Sequence, residues 1–210
     1  MASSMRCRAS AGLIMLLVAS AAIAAGDMLQ AFGYSWSVPQ ASDWKIETIE
    51  GTSVLELLHA RGPLPGPRRP IQFALAETPV LKHATVELDA RPRQRSLIIV
   101  FAYRDPDHFD YAHLSIDAPA ADPHHNGIFH VYGGERVRIS SEEGPAAFSA
   151  SQHWYHVRLT RDAQSGTVEV AVDGRAISSL YAIDLSLRGG KIGLGSFDET
   201  AEFKNVKLEF

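Results

Sequence analysis

The chain of 210 residues has a single cysteine, Cys7, close to its start. No intramolecular disulfide can form, and beyond Cys7 neither a thiolate nucleophile nor a cysteine metal site can be built. An excess of basic charge is also missing. The chain carries 20 Lys+Arg against 24 Asp+Glu, net −4, which argues against nucleic acid and anionic membrane surfaces as partners. After residue 25 no stretch of ten or more residues follows a helical period, so an α-helical core is excluded. No segment repeats at a fixed length, which argues against a propeller or solenoid. The chain has no G-x-S-x-G elbow and no HExxH. Its Gly189-Gly190-Lys191 precedes a strand pattern, not the helix a phosphate loop requires.

What is present begins with a secretory leader. Arg6 and Arg8 form a short basic region, residues 13–22 are uncharged and mostly apolar, and Ala22-Ile23-Ala24 fits an A-x-A cleavage site. The apolar run of residues 11–25 is shorter than the roughly 20 residues a spanning helix needs. Residues 1–25 therefore read as a cleaved signal peptide, and no membrane insertion is expected after cleavage. Loss of Arg6 and Arg8 leaves 18 basic against 24 acidic residues, a net −6. The rest reads as a single secreted or periplasmic domain over 26–210, cysteine-free and dependent on its own core. Such a chain is long enough to build one.

From residue 44 onward, apolar and polar residues alternate in short runs divided by turn residues. This period of two marks half-buried strands. Strands are expected at 44–59, 71–76, 83–91, 96–104, 109–117, 126–132, 135–140, 154–162, 167–173, 175–182, 191–197 and 201–210. Residues 26–39 read as an adapter, and 61–70, with four prolines and two glycines, as a loop. About eleven to thirteen short strands with frequent turns suit an all-β fold, a two-sheet antiparallel jelly-roll sandwich. Its ligand groove would lie on the outer, concave face of one sheet.

Two segments carry a family resemblance. W-Y-H-V-R-L-T-R from Trp154 leads to V-A-V-D-G ending at Gly174, and G-L-G-S-F from Gly193 leads to F-K-N-V ending at Val206. These resemble the second half of laminin-G-like, concanavalin A-like jelly rolls. The last segment is also similar to the 3-keto-disaccharide hydrolase family, a resemblance that implies hydrolase or lyase activity on a sugar. Laminarinase-like glycoside hydrolases carry E-x-D-x-E on one strand. This chain has Glu87-Leu88-Asp89-Ala90-Arg91, so an arginine stands where that family's acid/base glutamate belongs. A retaining mechanism needs two carboxyls about 5 Å apart, one of them the proton donor. Alternation alone also explains these three residues as the solvent side of a strand.

Seven of the nine histidines fall between residues 108 and 156. Tyr111 and His113 share one strand face, and His130 and Tyr132 share another. If those strands are neighbours, Tyr111, His113 and His130 line one surface beneath the His124-His125 loop, with Arg104 ending a nearby strand. Three chemistries fit. Aromatic faces and imidazoles suit a sugar. Histidine titrates near neutral pH and serves as a general base. Two or three imidazoles with Asp122 could hold zinc, although the spacing matches no metal motif and the expectation is no metal. The plain alternative is surface histidines with no shared role. The candidate ligand-binding set is thus Arg104, Tyr111, His113, His124, His125 and His130.

The expected function is a carbohydrate-binding module for an oligo- or polysaccharide. A sugar-active enzyme and a protein–protein interaction domain stand as alternatives, and no catalytic residue is assigned. The arginines at 91–95 with Arg68 and Arg69 could meet an acidic polysaccharide, or could be a solvated hairpin tip. No cofactor is expected beyond a structural calcium, for which Asp105, Asp107, Asp110, Asp198 and Glu199 lie in suitable loops. Ordinary Asx turns would explain the same residues.

Overall fold

The computed structural model describes residues 27–62 and 65–210. The leader expected at 1–25 lies outside the described residues. Among those described, no helix is long and apolar enough to cross a membrane.

Among the described residues fifteen strands follow one another: β1 (Asp27–Ala31), β2 (Tyr34–Val38), β3 (Trp44–Ile49), β4 (Thr52–Leu57), β5 (Gln72–Ala76), β6 (His83–Pro92), β7 (Ser96–Asp105), β8 (His108–Ser115), β9 (Gly127–Tyr132), β10 (Val137–Arg138), β11 (Tyr155–Asp162), β12 (Thr167–Val172), β13 (Arg175–Ile183), β14 (Lys191–Ser196) and β15 (Ala201–Glu209). They form two sheets. One has eight strands in the order β1-β2-β5-β14-β7-β8-β9-β10, the other seven in the order β13-β12-β11-β6-β15-β4-β3. All pairings are antiparallel. The expected all-β, two-sheet architecture is what the chain adopts. The expected adapter at 26–39 is instead the β1–β2 hairpin. Its Trp36 and Val38 alternate with Ser35 and Ser37 and are buried in the core, as period-two burial requires.

The inner faces meet in one core. Leu97, Ile99 and Phe101 of β7 and Ala112 and Leu114 of β8 pack toward Val86, Leu88 and Ala90 of β6 and Val157 and Leu159 of β11. A second cluster lies on the far side of the eight-stranded sheet: Ile98, Val100, Phe109, Tyr111, Phe129, Val131 and Phe197, with Phe73 and Tyr103 against it. Strands β7 to β9 are therefore covered on both faces, which is why residues 97–102 read as an unbroken apolar run.

Two glycines of β14 make room for this outer cluster. A Cβ on Gly193 would lie 3.0 Å from the Phe73 ring, and one on Gly195 would lie 2.2 Å from the Gln72 carbonyl oxygen. Residues 58–62 are pinned where they leave β4: Asp43 receives Arg61 through an ion pair and accepts from Gln72 Nε2 of β5. Farther along, Arg136 N–H donates to the Arg68 carbonyl, which brings residues 65–71 over the outer face of the eight-stranded sheet.

Candidate functional site

Tyr111 and His113 lie on β8 with their side chains on the outer face. Tyr111 stacks on Phe129 at 5.3 Å between centroids and is wholly buried. Burial pushes its hydroxyl well above the usual tyrosine range. His113 is 1 % exposed. Its Nδ1 lies 3.2 Å from the His124 carbonyl oxygen and its Nε2 3.0 Å from Ser96 Oγ. A carbonyl can only accept, so Nδ1 carries the proton and Nε2 is left as an acceptor beside the Ser96 hydroxyl, whose one proton also has Glu199 Oε2 as an acceptor at 3.0 Å. Desolvation holds His113 far below the ordinary histidine range, and nearby His125 and Arg136 add to the effect. It is a neutral core residue. The groove expected above Tyr111 and His113 is filled.

The structure divides the expected set. In the β8–β9 register Asp110 faces His130, and Tyr111 faces Phe129. Directly paired residues project to the same face, so His130 points to the opposite side of the sheet from Tyr111 and His113. The proposed single surface was one residue out of register. His130 Nδ1 donates to Asp110 Oδ1 at 2.6 Å. His125 stays with the outer group: its ring is 4.8 Å from that of His113 and its Nδ1 is 3.0 Å from Asp117. His124 is exposed, its side chain 71 % accessible. Arg104 is exposed near Gly189. It lies six strand positions from Ile98, the partner of His113, or roughly 20 Å away.

The residues that do converge on the outer face are arginines. The Arg136 guanidinium carbon lies 4.2 Å from the centroid of Phe197 and 5.3 Å from that of Phe129. Arg68 approaches Phe197 at 5.2 Å, and Arg138 approaches Phe129 at 5.1 Å. Guanidinium planes over aromatic faces are favourable and keep their edge donors free. Arg138 uses those donors on the carbonyls of Pro123, His125 and Ser141, fixing the His124-His125 loop. Arg68 sits 3.6 Å from Asp198. Arg136 makes one long hydrogen bond, 3.4 Å, to the Tyr111 hydroxyl, and among the described residues it has no carboxylate partner. The sequence reading missed Arg136 and Arg138. Their spacing of two beside Gly133-Gly134 was the available signal, since a hairpin there puts both on one face.

The seven-stranded sheet presents a polar outer face. A cleft of about 520 Å³ opens there, with Glu87, Asp89, His156, Asn205 and Lys207 on its walls. Asp89 accepts from Asn205 Nδ2 at 2.7 Å and lies 3.2 Å from His156 Nδ1, while Glu87 pairs with Arg158 at 3.4 Å. Arg91, at the position of the missing glutamate, pairs with buried Glu202 and lies 4.6 Å from the Trp154 ring. An arginine is permanently charged and cannot serve as proton donor.

The loop carboxylates suggested for calcium are already partnered: Asp105 with His108, Asp107 with Arg69, Asp198 with Arg68, and Glu199 with Arg95. Asp110 does not belong with them. It is a β8 residue facing inward, wholly buried, and burial raises its carboxyl to about 6.

The chain matches no protein-family model and no curated protein sequence. Solved structures match it in fold. The carbohydrate-binding module CBM66 from Bacillus subtilis superposes with a TM-score of 0.58 at 18% identity, over 83% of this chain and 95% of that one. A Parabacteroides distasonis protein provisionally described as a glycosyl hydrolase gives 0.52 at 12% identity, over 80% and 93%. The GH43 protein BlXynB from Bacillus licheniformis gives 0.51 at 8% identity, over 84% of this chain and 36% of that one. These likenesses bear on architecture: the chain is a concanavalin A-like jelly-roll sandwich.

Proposed function

We propose that this protein is an extracytoplasmic glycan-binding module whose ligand carries a carboxylate or sulfate and lies on the outer face of the eight-stranded sheet. Arg136 carries the reading. It is a guanidinium on an aromatic platform with no carboxylate partner among the described residues, and it shares the Phe197 ring with Arg68. A planar fork of N–H donors fits a sugar carboxylate in a bidentate manner. The likeness to a carbohydrate-binding module supports a sugar over other anions, as analogy of fold alone. The chain's overall negative charge makes a local basic site selective rather than generally adhesive.

An enzyme reading has less support. Hydrolysis or elimination asks for a proton donor and a base facing an open cleft. The Ser96–His113 pair is sealed, and in the open cleft Glu87 and Asp89 are already held by donors. The carboxyl raised to about 6 is that of Asp110, which faces the interior.

The deciding experiment is an array of uronate-bearing, sulfated and neutral oligosaccharides, with product analysis of the same incubations. Binding confined to acidic glycans, weakened by salt and lost in Arg136→Ala without new reducing ends or unsaturated products, is expected. Equal binding of neutral glycans, or full affinity in Arg136→Ala, would remove this site. New products would replace the module by an enzyme.

A further inference from the structure

A second cluster lies at the opposite face of the same sheet, where β9 of one sheet meets the end of β13 in the other. Asp110 from β8, His130 from β9 and Asp184, just past β13, bring three donor atoms within 4.8 Å of one another. His130 Nδ1 is 2.6 Å from Asp110 Oδ1 and 3.8 Å from Asp184 Oδ2. Arg161 shapes the site from β11. It donates to the carbonyls of Asp184 and Leu187 at 2.8 and 3.1 Å and so holds the segment that carries Asp184. Ser186 adds N–H and hydroxyl donors to the Asp184 carboxylate.

An independent observation points to a ligand. Asp110 is 0 % exposed, yet among the described residues its Oδ2 has no hydrogen-bond partner. Buried polar atoms are nearly always paired, and an unpaired carboxylate oxygen is among the most costly to bury. Arg161 Nε, also buried, lacks a partner among the described residues as well. The cluster is not sealed: the His130 and Asp184 side chains are each 17 % exposed, so a small ion can reach it from the sandwich edge.

We propose that Asp110, His130 and Asp184 form a binding site for a divalent transition-metal ion of the zinc class. The donor set decides the class. One imidazole nitrogen and two carboxylate oxygens match zinc, which is held by three protein ligands and a solvent molecule in open tetrahedral sites. Ligands about 2.1 Å from a tetrahedral ion stand about 3.4 Å apart. The two nitrogen–oxygen separations of 2.6 and 3.8 Å bracket that edge, so small side-chain rotations suffice. Calcium would need six to eight oxygens, and the site offers four carboxylate oxygens and a nitrogen. On binding, the metal takes the place of the proton that His130 Nδ1 shares with Asp110, and that proton is released to solvent. Two carboxylates facing one guanidinium leave an acidic balance for the ion to neutralise.

The test uses the full-length protein, stripped with chelator and titrated calorimetrically with zinc alone, then with calcium alone. One zinc equivalent should bind at least about tenfold tighter than in Asp184→Asn or Asp110→Asn, raise the melting temperature of the wild type only, and find no counterpart with calcium. His124→Ala should leave zinc affinity unchanged. Anomalous scattering at the zinc edge from wild-type crystals, which needs no variant to fold, should place the ion between the three side chains. Equal zinc affinity in the wild type and both variants would assign the metal to surface histidines and overturn the site. No saturable zinc binding would make the cluster a buried ion pair, with a water joining Asp110 Oδ2 to Arg161 Nε.

Discussion

Ser96 and His113 form a hydrogen-bonded pair, 3.0 Å from Oγ to Nε2, with no access to solvent at either side chain. A serine hydroxyl beside a neutral imidazole is an arrangement shared with hydrolases, but this hydroxyl also faces the Glu199 carboxylate at 3.0 Å. Here aromatic rings and arginines cover it, and the imidazole's other nitrogen is spent on the His124 carbonyl. The pair joins β7 to β8 and to the 122–126 loop.

That burial fixes a pH dependence. His113 takes a proton near pH 6.5 in the unfolded chain and far lower in the folded one. Its contribution to stability is complete above 6.5. It is lost as pH falls below 6.5 toward the folded value, because only the unfolded state then gains the proton, at up to about 1.4 kcal/mol per pH unit. Urea melts between pH 5 and 6.5 should show a shallower slope in His113→Gln than in the wild type. Parallel slopes would mean that His113 titrates normally in the folded protein.

Glu202 is fully buried and held by both Arg91 and Arg93. Arg91→Ala or Arg93→Ala leaves one guanidinium in place and should cost little. The double variant strands the carboxylate, and a loss of about 3–5 kcal/mol, larger than the sum of the single changes, is expected. A double-mutant cycle by chemical denaturation measures it, and strict additivity would show that the two arginines act separately.

Gly195→Ala should destabilise by about 1–3 kcal/mol. The new methyl would lie 2.2 Å from the Gln72 carbonyl oxygen and 2.6 Å from the Phe73 Cα, both backbone atoms, so β5 and β14 must part. A denaturation midpoint equal to that of the wild type would contradict this close approach.

At the proposed glycan site, Arg136→Lys should bind acidic oligosaccharides about as poorly as Arg136→Ala, roughly tenfold or more below the wild type. An ammonium offers neither the planar fork nor the stacking surface. Calorimetric titration with melting curves in parallel separates lost contact from lost fold, and recovery by lysine would indicate a simple charge effect.

The sandwich could be read from the chain because burial on one face imposes a period of two, and turn residues mark where it breaks. Even the overlooked β1–β2 hairpin carries that period in S-W-S-V over 35–38. The site was less legible because facing depends on register between strands. Pairing His130 with Asp110 rather than Tyr111 sends it to the other side of the sheet, and local sequence does not specify that pairing. Arg136 was hidden for a second reason. Its importance comes from Phe197 and Arg68, which lie in distant segments of the chain, and from the carboxylate that no described segment brings to it.

Strand β15 lies between β4 and β6, although it follows every other strand in chain order. Until it docks, both neighbours show an open edge, and the pieces on either side, β3-β4 and β6-β11-β12-β13, have no ladder joining them. The seven-stranded sheet is thus completed by insertion of a closing staple and not by growth from one end. Such long-range pairing slows folding, and a chain paused before residue 201 would offer two unpaired edges to any other extended segment nearby.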